Sequence, residues 1–372
     1  MVELTNWCPG LETINALWNA VDVINRQRNN RTMVIVGQML NYDWRKISYE
    51  EIYNTLGEKI RKRQEKPNLK STVSELVTED GCKVYLVGTI HFSKESIQDV
   101  QQLIQEVQPD AVVLELCRSR ESLLTLDEQS IRNEARTFDL HKTQQLIKQF
   151  GLMQTLWLML FLKISAYLIE QLGITPGGEF REAFRAAQKI PFCNIYLGDQ
   201  PIFVTLRRCA AALSFWDLVK AFIGLVYIKS QPFPYGKMIV KQLKKKGKEN
   251  GLEVIKMAME EYPEFYHVFV SERDAYLTQS LKQAAKPIVL PKIFQSDPQK
   301  VIPSVVVGVV GIGHVAGITK NWNKQLNTQE LMKLPNPSLS TRVFQISFIV
   351  ISYGLKIFFY YKIAQTLIWL FY

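Results

Sequence analysis

Between Lys83 and Leu114 the chain carries an apolar run, an amphipathic run and a second apolar run, all within about thirty residues. Val84-Tyr85-Leu86-Val87 is short, rich in β-formers and bounded by Asp80-Gly81 and Gly88, which predicts a strand. Ile97, Val100, Leu103, Ile104 and Val107 recur at the spacing of one helix face. Ser93 is placed to cap that helix, and Glu95 and Asp99 sit in its first turns, where the helix dipole favours acids. Pro109 stops it, and Ala111-Val112-Val113-Leu114 reads as the next strand. Strand, crossover helix and strand in so short a span predict a βαβ unit, with parallel strands buried on both faces. Two further strands are expected at Phe192 to Leu197 and at Val305 to Val310, with mostly helical stretches over 121–190 and 200–285. The predicted class is α/β: a mostly parallel central sheet with a large helical insertion.

The ends of these strands are where chemistry is expected. They run into Gly88-Thr89-Ile90-His91, into Glu115 with Leu116-Cys117-Arg118 behind it, into Gly198-Asp199, and into Gly311-Ile312-Gly313-His314. In open α/β sheets ligands bind outside the carboxyl ends of the strands. His91, Glu115, Asp199 and His314 are therefore expected to converge, although they are far apart in sequence. Two imidazoles and a carboxylate form the protein ligand set of one class of catalytic zinc site, and such a metal makes a nucleophile of water near neutral pH. Without a metal, a histidine beside a carboxylate is a general base. The glycine three residues before each histidine allows a tight turn or a close backbone approach. The chain has four histidines; the other two, His141 and His267, fall in helical stretches and read as ordinary surface or satisfied residues.

Other readings of the same segments are weaker. Gly311-Ile-Gly313-His-Val-Ala316 matches a dinucleotide fingerprint, with Glu330 as the ribose acid. The following Leu331 to Arg342 contains Pro335, Asn336 and Pro337 and offers no second strand, so the βαβ context is missing. Arg118, Arg120, Arg207, Arg208 and Arg273 are candidates for bidentate recognition of a carboxylate or phosphate. Glu272-Arg273-Asp274 lies in a predicted helix, where surface pairing is the expected role.

The formal charge of +10 favours anionic partners, but the basic runs at Lys241 to Lys248 and Lys59 to Arg63 read as solvated faces, and no RNA-binding or zinc-finger signature accompanies them. No nucleic-acid partner is expected. Five cysteines without a C-x-x-C pair argue against a disulfide framework and against structural zinc, and for a reducing compartment.

Three regions follow: 1–70, an N-terminal extension; 71–335, the main domain; and 343–372, a hydrophobic C-terminal helix. From Val343 to Tyr372 the only charges are Lys356 and Lys362. About twenty apolar residues span a bilayer as a helix. Trp369, Phe371 and Tyr372 are of the types enriched at membrane interfaces, and lysines near a helix end snorkel. The expectation is a membrane anchor that leaves the bulk of the chain in the cytosol; a core helix or interfacial hairpin is the alternative. The N-terminus carries neither a secretory signal nor a transit-peptide pattern. The second apolar stretch, Leu152 to Ile174, contains Lys163 and Glu170 and reads as a buried core helix.

Several segments together resemble the TraB family: Leu86-Val-Gly-Thr-Ile-His-Phe-Ser93, Val112-Val-Leu-Glu-Leu-Cys-Arg118, Thr205-Leu-Arg-Arg208, Glu272-Arg-Asp274, and Val310-Gly-Ile-Gly-His-Val315 with Gly317-Ile318 and Asn321-Trp322. Gly173-Ile-Thr-Pro-Gly-Gly-Glu-Phe180 looks like the family's central helix junction. The resemblance covers about 80 to 325. It implies a fold shared with the erythromycin esterase and ChaN-like groups and with the Tiki proteases. In Tiki-like relatives, paired Gly-x-x-His motifs and a glutamate are associated with metal-dependent peptide cleavage. Carried over, this points to His91, Glu115 and His314 as ligands of a divalent metal such as Zn, Mn or Co. Asp199, Arg120, Arg208 and Arg273 would complete a peptidase-like site acting on a peptide or protein. Bacterial relatives are linked to peptide pheromone shutdown, and eukaryotic ones to the mitochondrial outer membrane. Esterase relatives act without metal and ChaN-like ones bind haem, so membership alone does not dictate the reaction. The alternative expectation is a non-catalytic outer-membrane adaptor or tether that keeps the site as a relic.

Overall fold

The computed structural model describes residues 34–35, 59, 61–90, 93–126, 130, 140–151, 155, 158–159, 177–217, 219–220, 263–289, 301–336 and 338–371. The chain divides into two compact units. The first comprises Met1–Arg132, Leu172–Ile202 and Val270–Met332; the second comprises Asn133–Gln171, Phe203–Phe269 and Lys333–Tyr372.

The first unit is built on the predicted βαβ. Strand β3 (Lys83–Thr89) leads through helix α1 (Lys94–Val107) to β4 (Ala111–Leu114). Ser93 caps α1 as expected, its Oγ accepting from the Ser96 N–H at 3.3 Å. Helix α3 (Gly178–Gln188) precedes β5 (Asn194–Leu197), and β8 (Val305–Gly311) follows helix α5 (Arg273–Ala284). With β1 (Val34–Ile35) and β2 (Val73–Val77) the sheet order is β1-β5-β4-β8-β3-β2. The four inner strands are mutually parallel, and β1 and β2 are antiparallel edges. A short separate ribbon pairs β6 (Ile288–Val289) with β7 (Val301–Ile302). The α/β class and the mostly parallel sheet are as the sequence predicts; the antiparallel edges are additional. Strand β5 starts two residues later than expected. Phe192 sits in the left-handed region at φ 57°, which no strand residue adopts.

Alternation along the strands sends side chains to two cores. Tyr85, Val87, Val112, Leu114, Ile195, Leu197, Val307 and Val309 join residues of α1 and α3 on one face. Val84, Leu86, Val113, Tyr196, Val306 and Val310 join Leu277 and Leu281 of α5 and Ile318 of α6 (Ile312–Asn321) on the other. The result is a three-layer α/β/α unit with a sheet buried on both sides. Gly308 lets α5 lie close against the sheet: a Cβ there would stand 2.8 Å from Leu281 Cδ2 and 2.9 Å from Leu86 Cδ1. At the amino-terminal edge of the sheet, Lys59 Nζ donates to the Pro109 and Pro191 carbonyls and pairs with Asp110, which Arg63 also holds.

The first unit closes with the short helix α7 (Thr328–Met332), and the second includes α2 (Leu140–Phe150), α4 (Ile202–Ala212) from Phe203 onward, and α8 (Leu339–Phe371). Thr341 Oγ1 donates to the Ala210 carbonyl at 3.1 Å, and Phe344 meets Phe215 edge-on. Beyond this start, α8 exposes Ile346, Val350, Ile351, Leu355, Ile357, Phe358 and Phe359. Its segment Leu339–Thr366, of mean hydropathy 1.6, is long and apolar enough to cross a membrane. The core helix expected over 152–174 and the lysine run at 241–248 lie outside the described residues, apart from Thr155, Leu158 and Met159.

Candidate functional site

Parallel pairing carries all four expected strand ends to one edge of the sheet. The ladder continues just past the strands. Glu115 N–H donates to the Val309 carbonyl at 3.0 Å, and Asp199 N–H to the Leu116 carbonyl at 3.1 Å. These bonds fix the backbone from which both carboxylates project. His314 stands in the first turn of α6, which starts directly at the end of β8. His91 and Phe92 lie outside the described residues, so the first Gly-x-x-His turn is described only through Ile90. Its glycine acts through close approach rather than a tight turn. Gly88 belongs to β3, and a Cβ there would lie 2.9 Å from Val315 Cγ2 and 3.2 Å from Ile312 Cγ1, at the start of α6.

Glu115 is 4% exposed and His314 7%, so partners must replace water. Glu115 Oε2 accepts the Gly311 N–H at the amino end of α6 at 2.6 Å, where the helix dipole favours a carboxylate. Glu115 Oε1 accepts from Arg273 Nη2 at 2.5 Å and lies 3.2 Å from His314 Nε2. The other ring nitrogen, His314 Nδ1, is 2.6 Å from Asp274 Oδ1. Arg273 also grips Asp199, through Nε at 3.0 Å to Oδ1 and through Nη2 at 2.7 Å to Oδ2. Arg120 Nη2 reaches Asp199 Oδ2 at 2.5 Å. Three carboxylates, Glu115, Asp199 and Asp274, thus face three cationic or basic groups, Arg120, Arg273 and His314.

The electrostatics follow from these distances. Burial by itself would lower the His314 pKa; the Glu115 charge and hydrogen bonds to Asp274 and Glu115 outweigh it, against Arg273, and push it up to about 9. Burial pushes the Asp274 carboxyl up, with His314 and Arg273 pulling against it. Asp199 is driven up by burial and down by Arg273 and Arg120, and the two guanidinium groups win, leaving it below the usual carboxylate value. Cys117, just past β4, has its thiol lowered: burial raises it, but Arg120 and hydrogen bonds from Ser119 and Arg120 outweigh that.

Of the residues predicted from sequence, Glu115, Asp199, Arg120, Arg273 and His314 come together. Arg208 does not belong to this unit; it lies on α4 in the second one, where Nη1 donates to the Lys333 carbonyl. The surface pairing expected for Glu272-Arg273-Asp274 is overturned, since all three are buried. A π-helical turn, His267–Glu272, leads straight into α5 and delivers Arg273 and Asp274 under the sheet edge, where facing carboxylates and His314 compensate their charge. Sequence reasoning did not single out Asp274 as the partner of His314. The available signal was a charged triplet inside a segment whose later residues, Leu277 and Leu281, are core positions.

Two of the three residues proposed from the resemblance as metal ligands are adjacent. The 3.2 Å between His314 Nε2 and Glu115 Oε1 suits a hydrogen bond. It is also the edge of a tetrahedral ligand pair at zinc bond lengths, about 3.3 Å. Asp274 behind Nδ1 has the position of the outer carboxylate that orients metal-bound histidines. The donor set therefore fits a divalent cation at two positions, with His91 outside the described residues. Among the described residues no group of three His, Cys, Asp or Glu side chains is gathered around one point.

A model described as the TraB/PrgY/gumN family matches residues 75–327. The chain is similar to the TraB domain-containing protein of Mus musculus, 48% identical over 326 residues, covering 87% of this chain and 85% of that protein. It is equally similar to the TraB domain-containing protein of Homo sapiens, 48% identical over 322 residues, covering 86% and 84%. An uncharacterized protein of Methanocaldococcus jannaschii is 28% identical over 250 residues, 67% of this chain and 56% of that protein. The matched span contains all of Glu115, Arg120, Asp199, Arg273, Asp274 and His314, and the chain belongs to the TraB/PrgY/gumN family.

Proposed function

We propose that this protein is a membrane-anchored, metal-dependent hydrolase of the peptidase kind. The observation that carries the reading is the pairing of His314 Nε2 with Glu115 at the carboxyl edge of a parallel sheet, with Asp274 fixing the far side of the ring. His91, Glu115 and His314 would hold the cation. When bound, a divalent metal such as Zn, Mn or Co supplies a Lewis acid and lowers the pKa of water. The chain's own residues do the rest. Arg273, buried between Glu115 and Asp199, holds both carboxylates in place. Arg120, with its side chain 28% exposed, faces an incoming peptide and offers a cation to its carbonyl or carboxylate oxygens. Asp199 keeps Arg120 and Arg273 from moving apart. The family resemblance supports a peptide or protein substrate.

Helix α8 supplies the anchor in this reading. An exposed helix apolar on all faces has no stable place in water. Its 33 residues extend about 50 Å, more than a hydrocarbon core of about 30 Å. The family resemblance supports the mitochondrial outer membrane as the place of this anchor, with the bulk of the chain in the cytosol.

Elemental analysis of the full-length protein and of its His91→Ala/His314→Ala variant tests the site. Near-stoichiometric metal in the first and its loss in the second are expected; equal content in both rules the ligand set out.

A second reading, a non-catalytic adaptor with a relic site, draws on a different observation. Both Glu115 oxygens already have partners, Gly311 N–H and Arg273, so the cluster also serves as an internal strut. Under that reading the histidine variant, stably folded, restores function in cells lacking the protein; under the hydrolase reading it does not.

A further inference from the structure

Helices α5 and α6 meet at Gly317 and Asp274. A Cβ built on Gly317 would fall directly onto the Asp274 carboxylate, far inside van der Waals contact with Oδ2 and Cγ and 3.0 Å from Cβ. The obstruction is not confined to the tip of a long side chain. Asp274 has one methylene between carboxylate and backbone, so the carboxylate must leave its position if Gly317 gains any side chain. That position is the one from which Oδ1 reaches His314 Nδ1 at 2.6 Å. Gly317 lies one turn beyond His314 on the same helix, so the space it leaves is next to the imidazole. Gly313, immediately before the histidine, is different: a Cβ there would meet nothing within 4 Å. One glycine of this helix has a packing reason tied to the site, and its neighbour has none.

We propose that Gly317 and Asp274 are positioning residues: the slot left by Gly317 seats the Asp274 carboxylate, which holds the His314 Nδ1 proton and turns Nε2 toward Glu115. Donation from Nδ1 fixes the ring plane and leaves Nε2 as the nitrogen presented to the sheet edge. The consequence for cation binding rests on the hydrolase reading above; the orientation of the ring does not. Outer carboxylates of this kind tune affinity by on the order of 10–100-fold.

The test uses the full-length chain in detergent micelles, labelled with 15N only at histidine, and held at one neutral pH. With four histidines in the chain, the ring N–H region is simple, and His314→Gln assigns the His314 signals. Wild type and Gly313→Ala are expected to show a far-downfield, slowly exchanging Nδ1–H proton for His314. In Gly317→Ala that proton should move upfield and exchange at least tenfold faster. Asp274→Asn adds no heavy atoms and should do the same, so it carries the test if Gly317→Ala does not fold. An unchanged His314 Nδ1–H signal in folded Gly317→Ala, or in Asp274→Asn, overturns the proposal. Calorimetric titration with Zn2+ forms a separate arm. If wild type binds the ion, both variants should bind at least tenfold more weakly and Gly313→Ala equally well; equal affinity in the positioning variants overturns the consequence for cation binding. If wild type binds no Zn2+, the cation reading fails for that ion while the proton spectrum still decides the slot.

Discussion

Arg273 is the residue on which the buried cluster turns. Its side chain is 6% exposed and touches two carboxylates, Glu115 at 5% and Asp199 at 1%. Removing one partner of a buried ion pair leaves the other charge without compensation, at a cost of about 3–5 kcal/mol. Arg273→Met should therefore lower unfolding free energy by about that amount in urea titrations, while Arg120→Met, at the exposed side of the cluster, should cost clearly less. Asp199 makes a pH prediction. Its folded pKa lies below the unfolded value near 3.8, so its contribution is fully present above that value. It is lost as pH falls from there through the lower folded pKa. Asp199→Asn should weaken the protein at neutral pH and flatten the fall in stability below about pH 4, both measurable by denaturation across pH. Glu115, Asp199 and the two site arginines were legible one by one, as polar residues at strand ends or in a charged triplet. The direction in which Arg273 and Asp274 point was not, because helical spacing does not tell a solvated face from one buried against distant carboxylates.

At the level of elements, the sheet and its covering helices leave little slack. Helix α1 was readable to its cap, because Ser93 and a run of apolar residues at one-turn spacing are local signals. Strand β8 was readable as a run of valines, but Gly308 within it acquires meaning only when α5 is laid on the sheet. Gly308→Ala should destabilise the protein by about 1–3 kcal/mol, the usual cost of overpacking a filled core. The added methyl meets Leu281 and Leu86. A lowered urea midpoint with an unchanged slope would register this; no change in midpoint would mean that α5 can retreat without cost. The antiparallel edges β1 and β2 were not predicted: Val34–Ile35 is too short to show alternation, and Ser74 and Glu75 interrupt the apolar pattern of Val73–Val77.

On the scale of the whole molecule, the charged site and the apolar tail belong to different units. The tail can therefore be tested alone. Deleting residues 343–372 should release the protein from membranes into the soluble fraction, with His314 and its partners untouched; continued sedimentation with membranes would exclude α8 as the anchor. Sequence by itself determined the α/β class, the candidate strand ends and the apolar tail, because each is written in local periodicity or in an uninterrupted hydrophobic run. Tertiary structure alone decided what packs on the glycine of the first Gly-x-x-His segment and on the histidine of the second. It pressed the start of α6 against Gly88, brought Arg273 to Glu115 across 158 positions of sequence, and set Asp274 behind His314 across 40. Buried charges must find opposite charges once water is removed. Which ones they find depends on how helices dock on the sheet, and no local pattern records that.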